Sequence, residues 1–174
     1  KLLKLLALQL GNEVSQHELA KTLGTSSETI ARYLDLLEKI FVIKRVSAFS
    51  NNPRKEISKS QKIFFYDLGI RNALIENYAP MDLRTNVGYL WENFCFMERL
   101  KKNQRDGGGR QLFFWRTYGG QEVDIIERYN GTLGGFEIKY NPKKTVKVPP
   151  AFKELYSEAS FEVVNPENVY TWLQ

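Results

Sequence analysis

Apolar side chains recur at helical spacing three times along the first third of the chain, and then begin to alternate. Leu2, Leu3, Leu5, Leu6, Leu8 and Leu10 predict a first helix that stops at Gly11-Asn12. A second helix begins at Ser15, whose spacing to Glu18 is a capping box, and turns Leu19, Ala20 and Leu23 inward. Gly24 supplies the turn, Thr25 and Glu28 form a further capping box, and the third helix places Ile30, Leu34, Leu37 and Phe41 on one stripe. Phe41–Phe49 then predicts a strand, Ser50–Ser60 a polar loop, and Gln61–Tyr66 a return strand. Three helices followed by a β-hairpin predict a winged helix-turn-helix over residues 1–66.

A different pattern begins at residue 67. Asp67–Glu76 predicts a short helix, broken near Pro80, and about Thr85 to Asn103 a longer one. The apolar positions of the longer helix (Val87, Leu90, Trp91, Phe94, Cys95, Met97, Leu100) cover most of its circumference, so it should be well buried, with Glu92 inside the run. A carboxylate there is costly unless it is paired or metal-bound; the plainer alternative is a Glu92 at the helix edge, bridged to Arg99. Strands follow at Gln111–Thr117, Gln121–Tyr129 and Leu133–Tyr140, then a basic loop fenced by prolines, a helix near Ala151–Glu158 and a strand at Phe161–Asn165. The fold class is therefore α+β, with residues 67–174 in the order α-β-β-β-α-β.

Asn130-Gly131 signals a two-residue hairpin turn with positive φ at both positions. Cross-strand partners then have numbers summing to 261, which sets Asp124 opposite Glu137 and Glu122 opposite Lys139. Facing Cβ atoms lie about 4.5–5.5 Å apart. Two carboxylates that close repel unless a proton or cation sits between them, so the hairpin reads as a metal site with a lysine beside it. The competing reading is an amphipathic hairpin with a solvated face, on which Glu122 simply pairs Lys139.

Composition adds little to this picture, but charge placement changes it. With 43% hydrophobic and 26% charged residues the chain is globular in type, and no apolar run is long enough to cross a bilayer, so we expect a cytoplasmic protein. The single cysteine, Cys95, reads as a buried structural thiol, and His17 as a surface residue. Of the net charge of +5, all falls on residues 1–66, with eleven Lys and Arg against six Asp and Glu. The third helix carries Arg32 and Lys39 against Glu28, Asp35 and Glu38, which is poor for a groove lined by phosphates. The hairpin is basic instead: Lys44, Arg45, Arg54, Lys55, Lys59 and Lys62 against Glu56. These residues, with Arg32, are the candidate nucleic-acid contacts, positioning DNA rather than reading it; packing against a neighbouring domain is the equal alternative. The chain opens at Lys1 inside a helical pattern, and we expect it to be part of something longer.

A helix glutamate (Glu92), an aspartate on the second strand (Asp124) and Glu137-x-Lys139 on the third resemble the PD-(D/E)XK nuclease superfamily. The resemblance implies a restriction-endonuclease-like fold in which Asp124 and Glu137, completed by Glu92, hold Mg²⁺ (or Mn²⁺ in its place) while Lys139 positions or activates the attacking water. Val123 stands before Asp124 where the superfamily's name has proline. The chain also resembles the C-terminal region of bacterial and archaeal AAA+-type ATP-binding proteins, through Lys62–Gly69, Gly88–Phe94 and the Glu122-Val-Asp124 and Glu137-Ile-Lys139 strands. That implies an N-terminal ATPase domain of the same polypeptide as a partner, with ATP bound there and not by these residues. Two uses of the nuclease-like domain are open: cleavage of DNA phosphodiesters, or a non-cleaving module that binds nucleic acid or protein.

Overall fold

The computed structural model describes residues 1–50 and 61–174, so Arg54, Lys55 and Lys59 lie outside the described residues. The chain is mixed α+β, with two sheets and helices packed on them. Helix α1 (Leu2–Leu8), strand β1 (Glu13–Val14), α2 (Gln16–Leu23), α3 (Ser27–Lys39) and strands β2 (Ile43–Ser47) and β3 (Gln61–Phe65) form the first unit. Its sheet is antiparallel, in the order β1-β3-β2. The short β1 is an addition to the expected hairpin, pairing Glu13 with Lys62 and Val14 with Gln61.

Local chemistry explains most of these boundaries. Ser15 caps α2 by accepting from the Glu18 amide, as its spacing suggests. At α3 the cap is Ser26, which accepts from the Thr29 amide at 3.1 Å, one residue later than the Thr25–Glu28 pair. Ile30, Leu34 and Leu37 face the core, but Phe41 does not: it sits at φ 57° and is 66% exposed, its ring edge-on to Tyr66. The helix has ended at Ile40, so the 3.6-residue period no longer governs where Phe41 points.

Helix α4 (Leu68–Leu74) was expected to open the second unit. Instead its Leu68 and Leu74 pack on the first core, and the Arg71 guanidinium donates to the Ala7 carbonyl. A short 3-10 turn (Met81–Leu83) leads to α5 (Val87–Arg105), the central helix of the molecule. Strands β4 (Gln111–Arg116), β5 (Glu122–Tyr129), β6 (Thr132–Ile138) and β7 (Ser160–Val164) form the second sheet in that order, with α6 (Pro150–Leu155) crossing over between β6 and β7. Within the second sheet the β6–β7 pairing is parallel, as a helical crossover permits, and the other two are antiparallel. The chain ends in α7 (Val169–Trp172).

Helix α5 ties the two sheets together. The Asn93 side chain accepts from the Phe65 amide (2.8 Å) and donates to the Phe65 carbonyl (2.9 Å), extending the β3 edge into the helix. Phe96 stacks on Phe64 with ring centroids 4.2 Å apart. Gly11, at φ 80°, lets the α1–β1 turn close onto this helix: a Cβ there would lie 2.2 Å from the Tyr89 ring. The β5–β6 turn is the two-residue type, with Asn130 and Gly131 at φ 48° and 80°, and its ladder runs from Tyr129↔Thr132 to Ile125↔Phe136.

Candidate functional site: a charged cleft between the two sheets

Just past the last β5–β6 rung, Asp124 and Glu137 meet a common partner. The Lys139 ammonium lies 2.5 Å from Glu137 Oε1, 3.5 Å from Asp124 Oδ2 and 3.1 Å from the Ile138 carbonyl. Asp124 Oδ2 also accepts from the Ile138 amide at 2.7 Å, which fixes the carboxylate against the neighbouring strand. The cation that two facing carboxylates require is thus supplied, in this structure, by Lys139 itself. Glu137 Oε2 is buried and has no hydrogen-bond partner.

Above them stands a second ion cluster that sequence spacing could not anticipate. Lys62 is 2% exposed, and its ammonium lies 2.9 Å from Glu92 and 2.5 Å from Glu122. The expectation of Lys62 as a surface phosphate contact is therefore corrected: the residue points into the protein, toward carboxylates. Glu122 pairs with Lys62 and not with Lys139, and Glu92 is bridged to Lys62 and not to Arg99. Arg99 is engaged elsewhere, donating to both oxygens of Glu127 at 2.7 and 3.0 Å.

Glu92, Lys62, Glu122, Asp124 and Lys139 line one cleft of about 600 Å³, whose rim includes Gly11, Asn12, Arg116 and Lys144. Both units and both sheets contribute to it. At its centre four carboxylates (Glu92, Glu122, Asp124, Glu137) meet two ammonium groups, and Arg116 and Lys144 add positive charge at the rim. The ionisation behaviour reflects this crowding. Burial raises Glu92 to about 7 even with Lys62 beside it, helped by the charges of Asp124 and Glu122. Burial, and then Asp124, raise Glu137. Burial opposes the Lys62 and Lys139 ammoniums, but the surrounding carboxylates outweigh it and raise both. Cys95, fully buried, is also pushed up, by burial and then by Glu92 and Asp124.

Among the described residues, no three His, Cys, Asp or Glu side chains converge into a ready metal-ligand group. Asp124, Glu137 and Lys139 are brought together; Glu92 lies in the same cleft, held by Lys62. The remaining nucleic-acid candidates are scattered. Lys44 and Arg45 are tied to Glu38 at 2.9 and 2.7 Å, and Arg45 also to Asp35. Arg32 is exposed and bridged to Glu28. Sequence reasoning missed Asn93 and the inward pairing of Lys62, because their partners lie about thirty residues away and carry no local signal.

Residues 1–80 match the domain of unknown function DUF8612, and residues 87–172 match DUF4143. The chain is similar to uncharacterised proteins of Mycobacterium bovis and Mycobacterium tuberculosis, each 31% identical over 131 residues. Those alignments cover 74% of this chain and 29% of each relative. An uncharacterised protein of Haemophilus influenzae is 26% identical over 170 residues, covering 95% of this chain and 34% of the relative. The chain thus spans about a third of the length of the curated relatives it matches. No solved structure gives a significant match. The cleft draws on both matched segments, since Lys62 lies in the segment that matches DUF8612 and Glu92, Asp124 and Lys139 in the one that matches DUF4143.

Proposed function

We propose that the DUF4143 segment is a PD-(D/E)XK-type phosphodiesterase acting on DNA with Mg²⁺, and that the first unit is a winged helix serving it within a longer, cytoplasmic, AAA+-type ATP-binding protein. The observation that carries this reading is the Lys139 ammonium among the oxygens of Asp124, Glu137 and Ile138. Three oxygens on adjacent strands already hold a cation there, and Glu137 Oε2 is buried with no partner. Such oxygens suit a hard divalent ion, which binds through one or two carboxylates and retains waters. The carboxylates crowded at the centre of the cleft are in keeping with it.

Asp124 and Glu137 would hold the metal, with Glu92 completing the set once it is released from Lys62. When bound, the ion supplies a water of lowered pKa and shields the charge that develops on a phosphate. Lys139, displaced from the carboxylates, is close enough to hold that water or a phosphate oxygen. Lys62 keeps Glu92 and Glu122 from repelling each other in the metal-free state. For the first unit, support comes from the order α-β-α-α-β-β with sheet order β1-β3-β2, and from a third helix presenting its outer face.

Incubation with DNA and Mg²⁺ or Mn²⁺ tests the reading. Cleavage lost in Asp124→Ala and in Lys139→Ala is the expected result; absence of cleavage, or cleavage indifferent to both changes, rejects it. A second reading, a non-cleaving module that binds nucleic acid or protein for an attached ATPase, draws on the two lysines that already occupy the carboxylates. It predicts binding without turnover, weakening steeply with salt if the ligand is DNA.

A further inference from the structure

The cleft shares a wall with a second depression. Tyr140, which follows directly on Lys139, lines both. Beyond it lies an apolar groove of about 400 Å³, walled by Leu90, Trp91 and Phe94 of α5 and by Pro80 and Met81. The Trp91 and Phe94 rings stack 5.4 Å apart, and Tyr140 meets Trp91 edge-on at 5.8 Å. Phe94 is 39% and Tyr140 44% exposed, so the aromatic edge is open to a ligand. Arg84 in this wall donates to Asn72 at 3.1 Å and to the carbonyls of Ala79 and Asn77, while the Trp91 indole Nε1 is buried with no hydrogen-bond partner. The groove therefore offers rings, with Arg84 as the one charged residue of its lining.

Charge comes from the adjoining loop. Lys143, Lys144 and Lys147 follow Tyr140 closely and are all exposed, and Lys144 reaches the rim of the cleft. None of the three ammonium groups has a partner among the described residues. This contrasts with Lys44, Arg45 and Lys62, whose charges are already met by carboxylates. Uncompensated cations beside an aromatic groove, both bordering the charged cleft, suit a polyanion that also presents flat apolar faces. A base inside a continuous duplex shows only its edge; an unpaired base shows its face and can stack on aromatic rings. An apolar protein segment would suit the rings but has no use for the lysines.

We propose that the Trp91–Phe94–Tyr140 groove stacks an unpaired base while the Lys143–Lys147 loop holds the adjoining phosphates, so that the site takes nucleic acid with a single-stranded segment. The inference rests on the nuclease reading for what the cleft does to that strand, though the binding step can be measured without cleavage. Fluorescence anisotropy would compare a labelled single-stranded oligonucleotide with the matching duplex, at low salt and without metal. The single strand should bind about 10-fold tighter. Tyr140→Ala and Phe94→Ala should each weaken it by roughly 10-fold, and Tyr140→Phe should restore it. Alanine at Lys143, Lys144 and Lys147 together should weaken both ligands and flatten their salt dependence. Equal affinity for the two ligands, or single-strand affinity indifferent to Tyr140→Ala, overturns the proposal. Trp91 emission quenched by an apolar helical peptide but not by the oligonucleotide also overturns it, and would make the groove a protein-docking face. The two readings fail separately: single-strand preference without any cleavage in Mg²⁺ or Mn²⁺ rejects only the nuclease, and duplex cleavage indifferent to Tyr140→Ala rejects only the stacking groove.

Discussion

Two buried ion clusters sit about two turns apart on helix α5, and they are built in opposite ways. Around Arg99 one carboxylate meets two guanidiniums and both of its oxygens are engaged. Both Glu127 oxygens accept from Arg99, Arg110 adds a third bond, the remaining Arg99 amino group donates to the Trp172 carbonyl, and the guanidinium lies over the Phe136 and Trp172 rings. Around Glu92 the carboxylates outnumber the ammoniums, one oxygen of nearby Glu137 has no partner, and both Glu92 and Glu137 hold protons more tightly than usual. The first arrangement locks a helix to a sheet. The second keeps an electrostatic debt that a ligand of positive charge could discharge, and it does so at the wall of a cleft.

Breaking the comparison at the cleft should have the largest effect. Asp124→Ala is expected to lower metal-dependent cleavage by about 10³-fold, equivalent to ~4 kcal/mol of barrier, while a plain denaturant melt shows a folded protein. The Arg99 cluster should respond in stability instead. Arg99→Met leaves Glu127 with only the half-exposed Arg110, and about 3 kcal/mol should be lost in urea unfolding.

A pH titration sharpens the contrast. Because Glu92 is raised in the folded state, the fold binds its proton more tightly than the unfolded chain does. Stability should therefore fall as pH rises from about 4.5 to about 7, and Glu92→Gln should flatten that slope. Mg²⁺, if it binds, should flatten it as well by favouring the ionised carboxylate; a slope unchanged in Glu92→Gln would assign the effect to another group. The smallest change belongs to the surface of the first unit. Glu38 is lowered by Lys44 and Arg45 against the opposing effect of burial, so its contribution is present above pH 4.5 and fades in acid. Glu38→Gln should cost about 1 kcal/mol near neutral pH, read from the unfolding midpoint.

Much of the site was legible because its geometry is local. Asn130-Gly131 specifies a turn with two positive φ values, and that turn alone fixes a register that brings Asp124 and Glu137 to the same end of the hairpin. Ser15 and Glu18 likewise declare a helix start within four residues. What escaped reading was long-range. Lys62 looks like one more cation in a basic hairpin, and nothing in its neighbours reveals that strand β3 turns it toward Glu92 and Glu122. Phe41 failed for another reason: an apolar residue one step past the helix end still fits the stripe on paper, although the backbone has already reversed. Lys44 and Arg45 belong to the same lesson, since a count of charges along the chain does not show that Glu38 lies across from them.

The position of Lys62 makes the charge balance of the cleft depend on how the two sheets pack. The residue rides on β3, which is the middle strand of the first sheet, while both of its carboxylate partners belong to the second unit. A tilt of the first sheet by a couple of ångströms would withdraw the ammonium and leave Glu92 and Glu122 facing each other without a counter-ion. The counter-ion of two carboxylates is thereby set by the packing of one sheet against the other, and all three groups stand on helices or strands.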